Sequence, residues 1–187
     1  MILLLSGPAR SGKDTVADII LEKYPQYNFE RFAFAKELKK ELEETIEQKY
    51  GVSVWDDQQK HLFRDELIEY GCGKRNETQG KYWVEKFINA YDVKKNYLIT
   101  DFRFGGRTGE KAYIKNFIRE QKVFSEVLSF HIVRIENSEP ILPVINEEIR
   151  CENDLRREAD ELLFLKWTKE LDKDYISTKI NGLGILW

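Results

Sequence analysis

The stretch Ser6–Thr15, SGPARSGKDT, has residues of the right kind and spacing to hold a phosphate chain. Gly7, four intervening residues, Gly12 and Lys13 let a backbone curl its N–H groups around an anion while the lysine reaches the outer phosphate oxygens. The aliphatic run Ile2–Leu5 stands directly before the loop and a helical pattern directly after it, so the positive end of a helix faces the anion. Asp14 occupies the place where a Ser or Thr hydroxyl normally ligates Mg2+. A carboxylate is a hard oxygen ligand able to take that role, directly or through water, although it adds negative charge beside the phosphates. The alternative is that Asp14 caps the helix, since an acid is favourable in any first turn. Thr15 falls one place beyond the usual hydroxyl.

The elements that must position this loop follow from periodicity. Ile2–Leu5 reads as a strand covered on both faces, and Val16, Ile19, Ile20 and Tyr24 recur at helical spacing until Pro25. Phe29–Phe34 reads as a short strand. The following AKELKKELEETIEQKY reads as a helix with a Leu38, Leu42, Ile46 stripe and a solvated charged face, stopped by Gly51. Trp55–Tyr70 is expected to be helical and to end in a turn at YGCGKRN, with Tyr82–Tyr91 a further helix. Tyr97–Thr100 reads as a buried strand presenting Asp101 and Arg103 at its carboxyl end, followed by a flexible FGGRTGE. A helix over Lys111–Gln121, a strand over Leu128–Ile135 and a last strand over Glu161–Leu165 continue the alternation. Glu136–Arg150, with two prolines, reads as a lid, and the pattern of the tail is undecided. Alternating short apolar and longer amphipathic runs predict a three-layer α/β fold with a mostly parallel sheet, formed as one domain over residues 1–187.

Composition narrows the function classes. A net charge of −3 argues against capture of nucleic-acid backbone. Two cysteines, Cys72 and Cys151, without a CxxC and with only two histidines, indicate neither a disulfide framework nor a zinc site and point to a reducing cytoplasm. MILLL is too short to span a bilayer, so no membrane partner is expected. A homodimer is left open.

The motifs SGPARSGKDT, FAKELKKE, GKYWVEKF and YLITDFRF, in this order, resemble the phage-type deoxynucleoside monophosphate kinases and their relatives, the animal-type phosphomevalonate kinases. Both are similar to one another as members of the nucleoside monophosphate kinase group of P-loop proteins, and the resemblance spans about residues 1–160. Asp14 in GKD matches the family pattern. The resemblance implies ATP held by Gly7, Ala9, Arg10, Ser11, Gly12, Lys13, Asp14 and Thr15, with Mg2+ near Asp14 and Asp101. It further implies Trp83 against the acceptor, Arg103 on a phosphate, and Lys39, Arg64, Lys74 and Arg75 as acceptor-binding cations. CENDLRREAD matches the family's SExxL segment at Glu152 and Leu155.

Each assignment has a structural counterpart. Trp83 and Phe87, four apart, would equally serve as core. Asp101 and Arg103 could form a structural ion pair, although strand ends are where open α/β sheets bind ligands. Arg64, Lys74 and Arg75 could be plain surface charge. Arg134 and Arg150 flank the lid and could reach the transferring phosphate, whereas His131, inside an apolar strand, reads as a core histidine. The function expected is ATP-dependent phosphorylation of a (deoxy)nucleoside monophosphate to the diphosphate. The alternatives are a phosphomevalonate-type kinase, whose pocket would lack a stacking face, and a non-catalytic nucleotide-binding regulator.

Overall fold

The apolar run at the start of the chain becomes β1 (Ile2–Ser6), buried along its whole length. In the computed structural model of the protein, residues 1–107, 109–123, 125–136, 139–140, 153–166 and 173–182 are described. The chain divides into two compact units, Met1–Phe32 together with Asp92–Trp187, and Ala33–Tyr91.

In the first unit β1 pairs in parallel with β3 (Asn96–Ile99) on one side and β4 (Val127–Glu136) on the other. β2 (Phe29–Phe32) adds in parallel outside β3, and β6 (Glu161–Lys166) outside β4. A two-residue strand, β5 (Glu139–Pro140), folds back antiparallel on the end of β4. The parallel order β2-β3-β1-β4-β6 therefore sends the chain in opposite directions on the two sides of β1. Its carboxyl end is the crevice where open α/β sheets bind ligands.

Side chains alternate across this sheet and so define its layers. Leu3, Leu5, Phe130 and Ile132 point to one face, where they pack with Val16, Ile19 and Ile20 of α1 (Lys13–Lys23) and Ile176 and Ile180 of α7 (Lys173–Gly182). The alternate positions Ser6, Ser129 and His131 face the other way. There α5 (Glu110–Glu120) sets Lys111 Nζ 2.7 Å from Ser129 Oγ. Helix, parallel sheet, helix is the three-layer α/β arrangement expected, and α7 resolves the tail that periodicity left undecided. Residues 153–158 are helical (α6).

The second unit consists of α2 (Phe34–Tyr50), α3 (Lys60–Glu77) and α4 (Lys81–Ala90) around Leu42, Ile46, Val54, Phe63 and Leu67. Gly51 ends α2 as expected, in the left-handed conformation with its N–H on Glu47 O at 2.9 Å. α3 departs from expectation at both ends. It starts late because Ser53 and Asp56 accept backbone N–H groups two residues on, a local turn that competes with helix. It then runs straight through the predicted turn YGCGKRN, because Gly71 lies against Leu38 of α2 and its carbonyl accepts the Trp83 indole N–H at 3.0 Å. The glycine that looked like a turn signal is a packing residue.

Candidate functional site

The loop that follows β1 is shaped by its neighbours in the sheet. Ser6 is in register with His131, so Gly7 comes up against Ile132. A Cβ on Gly7, which has φ +141°, would lie 2.5 Å from the Ile132 carbonyl oxygen and 2.7 Å from Ser11 Oγ, so only glycine fits. Arg10 and Gly12 are also at positive φ, and Gly12 leads directly into α1. Arg134 Nη1 donates to the Arg10 carbonyl at 3.0 Å, which helps hold that residue in its left-handed conformation. Beneath the loop the buried His131 ring meets Ser6 Oγ at 2.9 Å, the satisfied core histidine that alternation predicted.

The residues present fit a triphosphate. Ser11 Oγ is buried and has no hydrogen-bond partner among the described residues, and the Lys13 ammonium folds back on the loop's own Gly7 and Pro8 carbonyls at 2.9 and 2.7 Å. A curled backbone with positive φ, a buried hydroxyl awaiting a partner and a lysine held over the loop form a cradle for phosphate oxygens. Ala9 and Arg10 are exposed along its rim, and Thr15 is half-buried on α1.

Asp14 stands in the first turn of α1, where an acid is favourable, and its carboxylate is ion-paired to the Arg31 guanidinium from β2. Asp101 follows the end of β3. The Phe102 N–H bonds the Leu5 carbonyl at 3.1 Å, so the segment carrying Asp101 runs beside the end of β1, where the loop begins. Glu110, buried at the start of α5, accepts the Arg103 and Phe104 N–H groups at 3.2 and 2.7 Å and holds the backbone of this segment. The Arg103 side chain is left exposed.

Gly105 and Gly106, in the stretch expected to be flexible after Arg103, are held in the same way. Glu158 of α6 accepts the Gly106 N–H at 2.7 Å, and a Cβ on Gly105 would sit 3.1 Å from Asp154. Lys111 anchors α5 by donating to Ser129 Oγ, the Glu158 carbonyl and Asp160 at 2.7, 2.9 and 2.7 Å. Burial alone would raise the Asp160 pKa. The Lys111 hydrogen bond, the Ser129 amide and the Lys111 and Lys115 charges outweigh it and hold the carboxyl below its ordinary value. Sequence reasoning missed Arg31, Glu110, Lys111 and Asp160, because a charged residue in a short strand or a first helical turn looks the same whether it is paired or solvated.

The expected acceptor-binding residues Lys39, Arg64, Lys74, Arg75 and Trp83 all belong to the second unit. Trp83 is packed into the core: it is 7% exposed, its N–H is committed to Gly71, and its ring meets Tyr82 edge-on at 4.9 Å. Lys39 pairs with Asp57 at 3.2 Å and lies 5.6 Å over the Trp55 ring. Lys74 Nζ lies 5.5 and 5.4 Å over the Tyr70 and Tyr82 rings and 3.6 Å from Glu77. Arg75 stands beside it in the last turn of α3, and Arg64 is exposed on the same helix.

Those tyrosines are fixed by Glu41, which sequence assigned to a solvated helix face. Its carboxylate accepts both tyrosine hydroxyls at 3.0 Å and pairs with Lys86 at 2.5 Å. Burial opposes ionisation of Glu41, but the bonds from Lys86, Tyr82 and Tyr70 prevail and lower its pKa. Burial, and then the Glu41 hydrogen bond and charge, push Tyr70 up to about 12, so it stays a donor at neutral pH.

Arg134 lies within β4, inside the strand expected over Leu128–Ile135, and bonds the phosphate loop. Arg150 and most of the expected lid, residues 136–150, lie outside the described residues, as do Cys151 and Glu152. Among the described residues no three His, Cys, Asp or Glu side chains gather as a metal site, and no helix is long and apolar enough to cross a membrane.

A parallel sheet with a phosphate-cradling loop at the end of its central strand defines a P-loop α/β protein of the kinase type. The phosphomevalonate kinase family model matches residues 5–119, and the chain belongs to that family. This is the second of the two families that the motifs resemble. Three solved structures are similar over nearly the whole length, with low scores. A shikimate kinase from Aquifex aeolicus vf5 has 16% identity over 99% of both chains and a TM-score of 0.43. A shikimate kinase from Acinetobacter baumannii in complex with shikimate has 13% identity over 97% of this chain and 92% of that one, with a TM-score of 0.44. An unliganded sugar kinase from Janibacter sp. HTCC2649 has 12% identity over 98% and 94%, with a TM-score of 0.41. No curated protein matches the chain.

Proposed function

We propose that the protein transfers the γ-phosphoryl group of ATP to a phosphate already carried by a small acceptor, giving a diphosphate and ADP. The observation that carries this reading is the loop itself, with Gly7 closed to any side chain, Ser11 Oγ buried and unpartnered among the described residues, and Lys13 folded over it. Phosphoryl transfer asks mainly for positioning and charge neutralisation, which the loop amides, Arg10, Lys13 and Arg103 are suited to supply. Bound Mg2+ would neutralise charge across the β- and γ-phosphates. Asp101, in the segment that runs beside the end of β1, is the carboxylate best suited to hold it, with Asp14, already paired with Arg31, contributing through water.

For the acceptor we place a small aliphatic phosphate of the phosphomevalonate type first. Family membership supports it, and so does the burial of Trp83, the residue on which recognition of a planar base rested. Lys74, Arg75, Arg64 and Lys39 are the cations offered to its anionic groups. A nucleoside or deoxynucleoside monophosphate is the second reading, favoured by Trp55, an indole 39% exposed in the unit that carries those cations.

The test is ADP release with ATP and Mg2+ against phosphomevalonate and a panel of ribo- and deoxyribonucleoside monophosphates. Turnover that requires phosphomevalonate and disappears in Lys13→Met is expected. Turnover with nucleotides alone would establish the second reading. ATP binding with no acceptor-dependent turnover would replace the kinase by a nucleotide-binding regulator.

A further inference from the structure

Asp14 poses a charge problem, and the fold contains an answer to it. A carboxylate in the first turn of α1 competes with a bound polyanion for the same positive helix end and repels it. Asp14 and Asp18 are four residues apart on α1, so they stand on one face of the helix. Arg31, projecting from β2, joins both: Nη2 is paired with Asp14, and Nη1 donates to Asp18 at 3.1 Å. The planar guanidinium fork can serve two carboxylates at once, which a lysine ammonium would do with less geometric definition. The Arg31 side chain is 37% exposed and that of Asp14 is 79% exposed, so the pair adds little to folding stability. Its consequence is for the electrostatics of the loop beside it.

We propose that Arg31 is a positioning residue of the phosphate loop. It holds the Asp14 carboxylate on the β2 side and cancels its charge, so that a loop carrying an acid after its lysine still binds a nucleoside triphosphate. The inference rests on the ATP reading above. It assigns a role to a residue outside every motif of the sequence, and it makes Arg31 matter only when Asp14 is charged.

Equilibrium binding of ATP in the presence of EDTA tests it, because metal-free ATP isolates the anion term from metal coordination. Arg31→Gln is expected to weaken binding by about threefold to tenfold, the scale of one partly screened charge. Arg31→Lys, which keeps the cation, should stay within about twofold of the wild type. In an Asp14→Asn background, Arg31→Gln should change the affinity by less than about twofold, since the charge to be cancelled is gone. An Arg31→Gln chain that binds ATP as the wild type does would overturn the proposal. So would an equal loss in the Asp14→Asn background, which would mark Arg31 as a general structural residue. A wild-type chain that bound no ATP would sink the function and this inference together, whereas normal wild-type binding with an indifferent Arg31→Gln sinks this inference alone.

Discussion

Replacing Gly73 by alanine tests whether α3 really passes through the glycine-rich stretch and so carries Lys74 and Arg75 on a helix. Neither Gly71 nor Gly73 is at positive φ, and a Cβ on Gly73 would meet nothing within 4 Å. Alanine is better than glycine in a helix interior by about 0.8–1.0 kcal/mol, so Gly73→Ala should stabilise by nearly that amount. At Gly71 the same gain is opposed, because the new Cβ would lie 3.3 Å from Leu38 Cδ1 and that methyl must give way by a few tenths of an ångström. Gly71→Ala should therefore gain less than Gly73→Ala, with a net effect of about zero. Urea denaturation followed by helical circular dichroism reads both differences, provided the m-value is unchanged. For a chain of 187 residues the Gly73 gain corresponds to a rise of about 2–4 °C in the thermal midpoint. If Gly73→Ala lowered the midpoint by a similar amount, the glycine would be serving a turn and the course of α3 would be wrong.

Two further outcomes follow from the site. Trp83→Phe should cost about 1 kcal/mol of stability through loss of the indole bond to the Gly71 carbonyl, and leave the KM for the acceptor unchanged; a tenfold rise in KM at unchanged stability would restore the stacking role. The Asp160 carboxyl titrates below its unfolded value of about 3.9, so the stability it contributes is fully present above that pH and is lost as pH falls through the folded value. Asp160→Asn, which strands the Lys111 charge at 9% side-chain exposure, should cost about 3 kcal/mol at neutral pH and flatten the acid limb of the stability curve; an acid limb unchanged in the variant would show that the pair does not govern it.

By itself the sequence determined the elements whose periodicity has a single interpretation. Ile2–Leu5 of β1 are aliphatic throughout, as a doubly covered strand requires. The loop needs glycines where backbone crowds backbone, and α1 follows at once with its own apolar stripe. Local chemistry was enough for these because the same residues that form the element also announce it. The surroundings of Lys39 and Trp83, by contrast, come from tertiary packing: Asp57 and Trp55 beside the one, Gly71 and Tyr82 beside the other. An amphipathic tryptophan looks the same from sequence whether a ligand or Gly71 receives its N–H. Likewise a glycine in YGCGKRN does not say whether it opens a turn or admits Leu38.

The charged residues show the limit most clearly. Arg31 meets Asp14 across a separation of 17 residues, Lys111 meets Asp160 across 49, and Tyr82 reaches Glu41 across 41. No spacing rule encodes such partners, since they are brought together by the strand order of the sheet and the packing of three helices. The residue types along the chain therefore determined that a phosphate could be cradled after β1. Only the tertiary structure decided which carboxylates are left to face it, because the cost of a charge depends on what the fold sets beside it.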